Sequence, residues 1–345
     1  MPLRKRVTLD DVAKAADVSA ITVSRALRQP DMVSEKVRKR VESAVTKLGY
    51  VPNPAARMLA TGRSNMIGVV IPSVANNVFA DVLRGIYEHP DIDTFDIQLA
   101  NTRYSPSLED RAIRLLVSQK PAGLIVAGID QSDQTRALLS SLDCPVVQIM
   151  EIGDDPIDTC IGLSHFEAAK AATRHLLESG YVRLGFLGAR MDPRTQRRLD
   201  GFRKAAENAG AYDEVRVVTT LESSSVAKGG ALLSDLLART TDVDAILCNN
   251  DDLALGALFE AQRRRIRIPD HLGICGFNDL EMMSAAEPSI TSLRTHRFEM
   301  GQRAIERVIA GPDAKDATEK VIDLGFEVMA RKSTARASDG GERVA

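Results

Sequence analysis

Asparagine, aspartate and arginine side chains are concentrated in four short segments that follow apolar runs. These segments are residues 72–79, 188–195, 249–252 and 277–279. Amide, carboxylate and guanidinium groups hold hydroxyls and carboxylates through hydrogen bonds and ion pairs. Asp and Asn after a strand often only cap the next helix. As a set that converges on one cleft, however, these residues predict a binding site for a small polar molecule.

The sequence lacks the common catalytic motifs. It contains no P-loop, no G-x-S-x-G segment and no H-E-x-x-H segment. Its five histidines are scattered, and only His165, in an expected crossover segment, is a candidate to face a cleft. The cysteines are not spaced for a zinc site or a disulfide framework, which favours buried free thiols; they are Cys144, Cys160, Cys248 and Cys275. We therefore expect no catalytic site, no metal and no cofactor.

Charge is distributed unevenly along the 345 residues. Residues 1–63 contain thirteen Lys/Arg and six Asp/Glu, a net charge of +7, whereas the remainder has a net charge of −9. A basic head on an acidic body favours a polyanionic partner for the head alone; a solvated basic tail is the alternative. The N-terminus has no apolar signal segment, and runs such as Met66–Ile71 are too short to span a membrane, so we expect a cytoplasmic protein.

The basic head has the periodicity of three short helices, over 9–16, 20–27 and 35–48. The residues expected to cap them are Thr8 with Asp11, Ser19 and Ser34. The residues of the second helix expected to point inward are Val23, Ala26 and Leu27. Two short helices joined by a tight turn are typical of a helix-turn-helix. A generic three-helix bundle that packs on the body is the alternative.

The second helix is expected to enter the major groove of DNA. Arg25 is the expected base reader, because a guanidinium can bond guanine at two positions. Ser24, Thr22 and the helix N-terminus can reach phosphates. The expected DNA-binding residues of the head are Thr8, Ser19, Ala20, Ile21, Thr22, Ser24, Arg25 and Arg28.

Beyond residue 63, apolar runs alternate with amphipathic helical stretches. The candidate strands are 66–71, 96–100, 123–127, 146–149, 183–187, 215–218, 245–248 and 272–276. This pattern implies parallel sheets with helices on both faces. About eight units are too many for one small sheet, so we predict an α/β body of two lobes, each a doubly wound parallel sheet. The ligand cleft is expected at the carboxyl ends of the strands.

The head, and most of the chain after it, resemble the lac/galactose repressor family. The resemblance is carried by Thr8-Leu9-Asp10-Asp11-Val12-Ala13, Val18-Ser19, Thr22-Val23-Ser24-Arg25, Val33-Ser34 and Leu48-Gly49-Tyr50-Val51-Pro52-Asn53. It implies a bacterial DNA-binding regulator with an N-terminal helix-turn-helix head and a two-lobed, periplasmic-binding-protein-like body that binds an effector.

Residues 53–60 match the hinge helix of that family. Asn53 can cap it, and Pro54 suits its first turn. A helix this short is marginal alone in water, so it is expected to fold only when paired with its dimer mate on DNA. Leu59 matches the leucine that the family inserts into the minor groove, and Ala56 belongs to the same set of DNA contacts. A plain interdomain linker is the alternative.

The resemblance also implies effector ligands in the body. The family's ligand arginine, three residues before a Gly-aromatic pair, corresponds to Arg198, and the family's ligand asparagine corresponds to Asn250. The full set of expected effector-binding residues is Ser73, Asn77, Phe79, Gln148, Arg194, Thr195, Arg198, Asn250 and Asn278.

The sequence departs from the family pattern at two places. Ala20 and Ile21 stand where many members have side chains that hydrogen-bond to bases, so the operator sequence cannot be copied from a relative. Asn278 stands where the family often has a sugar-binding aspartate, which suggests a ligand with less need for a hydroxyl acceptor.

Residues 72–86 and 187–195 look particularly like the gluconate and 2-ketogluconate repressor branch of the family. Arg194 and Arg198 can clamp a carboxylate, which agrees with a sugar acid. We therefore predict a repressor of sugar-acid catabolism genes that is released by an effector such as gluconate or 2-ketogluconate. A solute-binding protein for a sugar and a sugar-processing enzyme are the competing classes, and the sequence does not decide between an inducer and a corepressor.

The expected domains are a helix-turn-helix at 1–52, a hinge helix and linker at 53–63, a body at 64–332 and a polar tail at 333–345. Lobe 1 of the body is expected over about 64–163 and 295–322, and lobe 2 over about 164–294 and 323–332. The expected partners are double-stranded operator DNA and a second copy of the chain. A tetramer is less expected, because the tail lacks an apolar heptad.

Overall fold

Three short helices form the head: α1 (Leu9–Ala16), α2 (Ala20–Arg28) and α3 (Glu35–Leu48). The computed structural model describes residues 7–51, 64–311 and 319–336. The chain divides into two units, residues 1–64 and 65–345, which are considered separately below.

Side-chain caps begin the first two helices of the head. The Thr8 hydroxyl accepts a hydrogen bond from the Asp11 amide at 3.3 Å, and the Asp11 carboxylate accepts one from the Thr8 amide at 2.9 Å, so the predicted capping box is confirmed. The Ser19 hydroxyl accepts from the Thr22 amide at 3.1 Å. Ser34 occupies the capping position of α3 but makes no side-chain hydrogen bond there, so that part of the cap prediction is wrong.

Small and branched apolar side chains close the core of the head. The buried members are Val12, Ala13, Ala16, Val23, Ala26, Val41 and Ala44. Leu27 was expected inside but is 37% exposed, because it lies at the edge of the narrow buried stripe of α2. The burial of this stripe leaves the opposite face of α2 on the surface.

Lobe 1 of the body is a six-stranded sheet in the order β11-β5-β4-β3-β1-β2, and all its neighbouring strands are parallel. The strands are β1 (Met66–Ile71), β2 (Asp96–Asn101), β3 (Gly123–Ala127), β4 (Val146–Ile149), β5 (Thr159–Gly162) and β11 (Val321–Asp323). Its helices are α4 (Val78–Tyr87), α5 (Pro106–Ser118), α6 (Asp133–Ser140) and α12 (Arg297–Ala310).

Lobe 2 is a second six-stranded sheet, in the order β12-β10-β9-β8-β6-β7. Its strands are β6 (Leu184–Ala189), β7 (Val217–Thr220), β8 (Ala245–Cys248), β9 (Gly273–Asn278), β10 (Thr291–Thr295) and β12 (Phe326–Met329). Its helices are α7 (His165–Glu178), α8 (Pro193–Asn208), α9 (Val226–Arg239), α10 (Asp251–Arg263) and α11 (Glu281–Ala285). The edge strand β12 is antiparallel to β10, unlike the parallel pairs of the rest of the sheet.

The two-lobed parallel architecture is confirmed, but four strands were not predicted. These are β5, β10, β11 and β12, at and beyond the points where the chain passes between the lobes. They are short, and β10 is polar, since it contains Thr291 and Ser292. Both of those side chains are buried and hydrogen-bonded, so their burial does not depend on an apolar pattern.

A close approach of two helices positions the ligand-facing residues of lobe 2. A side chain at Gly201 of α8 would collide with the backbone carbonyl of Phe166 in α7. The glycine therefore lets α8 lie directly on α7. This contact brings the first turn of α7 to the second turn of α8, with His165 beside Arg198.

The segment that follows β12 is part of lobe 2. Ser333 and Thr334 are buried, so the predicted start of a polar tail at residue 333 is wrong. The Ser333 hydroxyl donates to the Ile274 carbonyl at 2.5 Å and accepts from the Thr291 amide at 2.8 Å. Polar side chains hid this segment in the sequence, because hydrogen bonds rather than apolar contacts hold it to the sheet.

Candidate ligand-binding and nucleic-acid-binding sites

The exposed face of α2 forms the candidate nucleic-acid surface of the head. Six residues line one shallow groove there: Leu9, Ala20, Ile21, Ser24, Arg25 and Gln29. Ile21 is 72% exposed, and Arg25 is exposed without a carboxylate partner in the described part of the head. The groove therefore presents one apolar side chain and one cation side by side.

Other predicted DNA-binding residues have their hydroxyls engaged at the starts of helices. The Thr8 hydroxyl lies 2.7 Å from the Asp11 carboxylate, and the Ser19 and Thr22 hydroxyls lie 2.8 Å apart. These contacts fix the helix ends that carry the groove. Four predicted residues lie outside what the structure describes: Asn53, Ala56, Leu59 and, in its side chain, Arg28.

A cavity of about 320 Å³ lies between the two lobes of the body, at the carboxyl ends of their strands. Lobe 1 contributes the loops after β1 and β2 and the residue after β4, and lobe 2 contributes the loops after β6, β7 and β8 and the end of β9. This is the position that a doubly wound sheet offers to a ligand. Its volume suits a small molecule.

The structure places seven of the nine predicted effector residues on the wall of this cavity. They are Ser73, Phe79, Arg194, Thr195, Arg198, Asn250 and Asn278. The residues come from both lobes, so a ligand in the cavity would touch both.

The other two predicted effector residues do not reach the cavity. Asn77 is exposed at the start of α4, and its neighbour Asn76 lines the wall instead. Gln148 is buried within lobe 1, where its amide donates to Gln131 and accepts from the Ile157 amide, both at 2.8 Å. Its hydrogen-bonding groups are used inside the lobe, which corrects the prediction.

Eight further polar or aromatic residues line the cavity and were not predicted: Asn76, Tyr104, Arg190, Asp192, Ser223, Ser224, Asn249 and Asp252. Arg190 and Asp252 lie in segments already recognised as rich in polar residues, so their segments pointed to them. Tyr104 follows β2, and the rule that ligands bind after strands would have found it.

Arg198 forms part of the cavity wall while being almost fully buried. Its guanidinium carbon lies 3.7 Å from the centre of the Phe277 ring, and its Nη1 donates to the Asn249 carbonyl. Burial lowers the pKa of Arg198 to about 10, which leaves it charged at neutral pH. The side chain is thus a fixed cation.

His165 fixes the position of the Arg198 side chain through a hydrogen bond. The Nε of Arg198 donates to Nδ1 of His165 at 3.2 Å, and Nε2 of His165 lies 3.0 Å from the Met150 carbonyl. Because an arginine Nε–H can only donate, Nδ1 must accept and Nε2 carries the proton. Burial, reinforced by the nearby arginines, holds the pKa of His165 well below its usual value, so the ring is neutral. His165 is not a ligand but links α8 to the crossover after β4.

Two asparagines after β8 organise the next part of the wall. Asn249 is buried, and its amide donates to the Thr195 hydroxyl at 3.0 Å. Asn250 caps α10, because its side-chain oxygen accepts from the Leu253 amide at 3.1 Å and from the Ser224 hydroxyl at 2.9 Å. No described residue accepts a hydrogen bond from the Asn250 amide nitrogen, which leaves that donor for a ligand.

Asn278 lines the cavity from the end of β9. It is buried, and its side-chain oxygen has no hydrogen-bond partner among the described residues. Its backbone has a φ of 113°, a conformation that non-glycine residues rarely adopt. Buried polar atoms are nearly always partnered, and strained backbones cluster at ligand sites. Both features mark Asn278 as a residue that a bound molecule would satisfy.

Three arginines face the cavity without a carboxylate of the described residues within ion-pair distance. Arg190, Arg194 and Arg198 all line it, and none forms an ion pair with a described residue. Two carboxylates share the wall. Burial would raise the pKa of Asp192, but Arg194 and hydrogen bonds from Thr195 outweigh it and lower that pKa. Burial raises the pKa of Asp252. The balance of charge favours an anionic ligand.

An ion-pair cluster joins the lobes beside the cavity. Arg197 of α8 donates to Asp130 at 2.5 and 2.9 Å and to Glu151 at 2.7 Å, and both acids belong to lobe 1. The Glu151 side chain is 3% exposed. Burial raises the pKa of Glu151 to about 7, although Arg197 opposes the shift. The same helix therefore carries interlobe and cavity-facing cations.

The described residues hold no metal site and no membrane-spanning helix. No three of their His, Cys, Asp or Glu side chains cluster as metal ligands would, and no described helix has the length and apolar character needed to cross a membrane. None of the four cysteines forms a disulfide; Cys144 is half-buried and the other three are buried.

Two family models match the chain. "Bacterial regulatory proteins, lacI family" matches residues 8–53, and "Periplasmic binding proteins and sugar binding domain of LacI family" matches residues 64–323. Among curated relatives, the HTH-type transcriptional regulator GntR of Pseudomonas aeruginosa is 40% identical over 95% of this chain and 96% of its own length. GntR of Escherichia coli K12 is 35% identical over 94% of this chain and 97% of its own length.

Solved structures agree over the same extent. A LacI family transcriptional regulator from Silicibacter pomeroyi superposes with a TM-score of 0.88 at 33% identity, covering 96% of this chain and all of that one. The lac repressor dimer bound to operator and the anti-inducer ONPF gives a TM-score of 0.81 at 26% identity, covering 96% of this chain and all of that one. The resemblance read from the sequence is confirmed, and the chain belongs to the lacI family of bacterial regulatory proteins.

Proposed function

We propose that this protein is a DNA-binding repressor of sugar-acid catabolism genes, and that it releases its operator when a sugar acid such as gluconate or 2-ketogluconate binds in the interlobe cavity. One observation carries the choice of ligand. Arg190, Arg194 and Arg198 line the cavity and outnumber its two carboxylates, so the balance of charge on the wall favours an anion. The resemblance of 72–86 and 187–195 to the gluconate and 2-ketogluconate branch supports the same class.

The remaining wall suits the hydroxyl groups of such a ligand. The free amide donor of Asn250 and the unpartnered oxygen of Asn278 offer one donor and one acceptor. Ser73 and Asp252 add a hydroxyl and a carboxylate. A sugar acid would place its carboxylate on Arg194 and Arg198 and its hydroxyls on these groups.

The head supplies the DNA contact in this proposal. The exposed groove of α2 enters the major groove, where Arg25 bonds a guanine and Ile21 touches a thymine methyl. The chain acts as a homodimer on a pseudo-palindromic operator, as the lac repressor does in its operator complex. A cytoplasmic location and the absence of enzyme activity belong to the same proposal, since the chain's relatives are transcription regulators.

Coupling between ligand and DNA follows from the position of the cavity. A sugar acid contacts both lobes, so its binding favours one lobe angle over another. That angle controls the spacing of the two heads in the dimer. The coupling free energy needed for regulation is about 1–3 kcal/mol or more.

Calorimetric titration of the full chain with gluconate, 2-ketogluconate and glucose tests the ligand class. We expect both acids to bind and glucose to bind at least tenfold more weakly, because glucose leaves the arginines unneutralised. Binding of glucose alone, or of neither acid, would reject the sugar-acid assignment.

A duplex selected from random DNA by the full chain then tests the regulatory direction. Fluorescence anisotropy is expected to show weaker binding of this duplex when the sugar acid is added. Stronger binding would make the ligand a corepressor. Failure to select any sequence would contradict the DNA-binding assignment.

A further inference from the structure

Tyr104 and Arg190 meet across the two lobes at the wall of the cavity. Tyr104 lies in lobe 1 after β2, and Arg190 lies in lobe 2 directly after β6. The guanidinium carbon of Arg190 is 3.8 Å from the centre of the Tyr104 ring. At this distance the guanidinium and the ring form a favourable cation–π interaction.

Each partner of this stack is held in place by its own lobe. The Tyr104 hydroxyl accepts a hydrogen bond from the Asn76 amide at 3.1 Å. The backbone amide of Arg190 donates to the Glu222 carbonyl at 2.9 Å. Both residues have positive φ angles, 58° for Tyr104 and 71° for Arg190. Non-glycine residues keep such angles only where their surroundings enforce them, and they do so often at ligand clamps.

The Tyr104 ring also borders a second space. A hollow of about 120 Å³ lies next to the main cavity, and Tyr104, Asp192 and Arg194 line both. The rest of the hollow mixes apolar residues with a few polar side chains, including Glu109 and Gln131. The two spaces are therefore neighbours, and Tyr104 is the one aromatic side chain that the described walls of both share.

We propose that Tyr104, clamped by Arg190 of the opposite lobe, is the gate of the effector site and limits the length of the ligand that it accepts. This inference rests on the proposed function, in which the main cavity binds a sugar acid. A six-carbon acid fills the main cavity on its side of the ring. A second sugar unit would need the neighbouring hollow, which the ring closes off. The hollow's amide and carboxylates are the groups that hold sugar hydroxyls.

The stacking of Arg190 on Tyr104 also joins the two lobes beside the bound ligand. Loss of either partner releases the same contact, so the two losses are coupled rather than additive. A contact of this kind is worth up to about tenfold in affinity. We expect the effect to appear in the dissociation rate of the ligand, since the gate retains a bound molecule.

Calorimetry of the full chain with gluconate and with lactobionate, a gluconate that carries a galactose unit, tests the gate. The wild type is expected to bind gluconate and exclude lactobionate. Tyr104→Ala is expected to bind lactobionate and to bind gluconate about tenfold more weakly. Tyr104→Phe keeps the ring, so it is the matched control and should still exclude lactobionate. Exclusion of lactobionate by Tyr104→Ala would overturn the length limit.

A double-mutant cycle tests the clamp. Arg190→Ala, Tyr104→Ala and the double variant are compared by the dissociation rate of gluconate in stopped flow. We expect the double variant to release gluconate no faster than the faster of the two single variants. Additive losses would show that the two residues act separately and would overturn the clamp.

A ligand-free measurement separates this inference from the proposed function. The sequence contains no tryptophan, so Tyr104→Trp introduces a single fluorophore at the gate. Acrylamide should quench it more strongly when Arg190→Ala is added, because the stacked guanidinium shields the ring. Equal quenching would overturn the clamp whatever the ligand is, whereas a wild type that binds no sugar acid would overturn the proposed function alone.

Discussion

Arg197 of lobe 2 donates a 2.7 Å hydrogen bond to Glu151 of lobe 1. The next residue of the chain, Arg198, faces the cavity. Asp130 completes this contact between the lobes. One turn of α8 therefore carries both the arginine of the interlobe ion pair and an arginine that lines the cavity. A movement of this turn on ligand binding would change the interlobe contact directly, without an intervening element.

The buried Glu151 carboxyl makes stability depend on pH. Its pKa in the folded protein is about 7, against an ordinary value of 4.5. Between these values the folded state keeps a proton that the unfolded state has released, so the free energy of unfolding falls as pH rises and levels off above 7. Asp251, also raised to about 7 by burial, acts in the same direction.

Glu151→Gln is expected to flatten this dependence by about 1–3 kcal/mol between pH 5 and pH 8. Urea unfolding of the full chain at several pH values measures the change. Glu207→Gln, at an exposed site on α8, is the matched control and should leave the slope unchanged. Equal slopes for the wild type and Glu151→Gln would show that Glu151 does not titrate in this range.

Arg198→Lys is expected to weaken sugar-acid binding by about 2–3 kcal/mol, roughly 30- to 150-fold. Lysine keeps the charge but cannot stack on Phe277 while bonding His165 and a carboxylate. Calorimetry measures the affinity, and circular dichroism checks the fold. Lys204→Ala removes an exposed cation from the same helix and should bind as the wild type does. Similar losses for both variants would point to general charge and not to a specific contact.

Opposite charge changes within the cavity should move affinity in opposite directions. Asn278→Asp adds a negative charge and is expected to weaken gluconate binding about tenfold, while it supplies the acceptor that a neutral sugar prefers. Asp252→Asn removes a negative charge from the same wall but keeps an oxygen that can accept from a ligand hydroxyl, so it is expected to strengthen gluconate binding. Titration of both variants with gluconate and glucose gives the comparison. Changes of the same sign for gluconate would contradict an anionic ligand.

Arg25→Ala is expected to weaken binding to the selected duplex by about 1–3 kcal/mol and to relax its specificity at one base pair. Lys39→Ala removes a cation of α3 that pairs with Glu35 and does not line the α2 groove, so it should leave the base specificity unchanged. Anisotropy at several salt concentrations should give a log–log slope of about −0.9 per neutralised phosphate. A flat response to salt would argue against binding through phosphates.

Regular patterns made much of the fold predictable. The β1 strand is predicted to the residue and most other strands to within one or two, because apolar runs of five or six residues are typical of buried parallel strands. Arg198 and Asn250 were placed through their resemblance to family ligands, Asn278 as a departure from one, and Arg194 as the second arginine of a carboxylate clamp. The structure brings all four to one cavity.

Several of the failures share a physical cause, which is the burial of polar groups. Gln148 resembles a ligand in the sequence, but its hydrogen bonds to Gln131 and Ile157 lie inside lobe 1. The β10 strand was not predicted because it contains threonines and a serine in place of an apolar run. These side chains are buried through hydrogen bonds such as that of Thr291 to the Arg331 carbonyl. Partners distant in the sequence satisfy these groups, and no local pattern reveals a distant partner.

Substitution of Ser333 tests whether buried polar groups hold the segment after β12 to lobe 2. Its hydroxyl donates to the Ile274 carbonyl and accepts from the Thr291 amide, and the residue is fully buried. Ser333→Ala leaves both groups without this partner, so we expect the free energy of unfolding to fall by about 1–3 kcal/mol. Lys332→Ala, at an exposed neighbouring site, should change it by less than about 0.5 kcal/mol. Urea unfolding measures both variants. Equal stabilities would mean that this segment is the solvated tail that its composition suggests, and a larger loss for Ser333→Ala would establish it as a structural part of lobe 2.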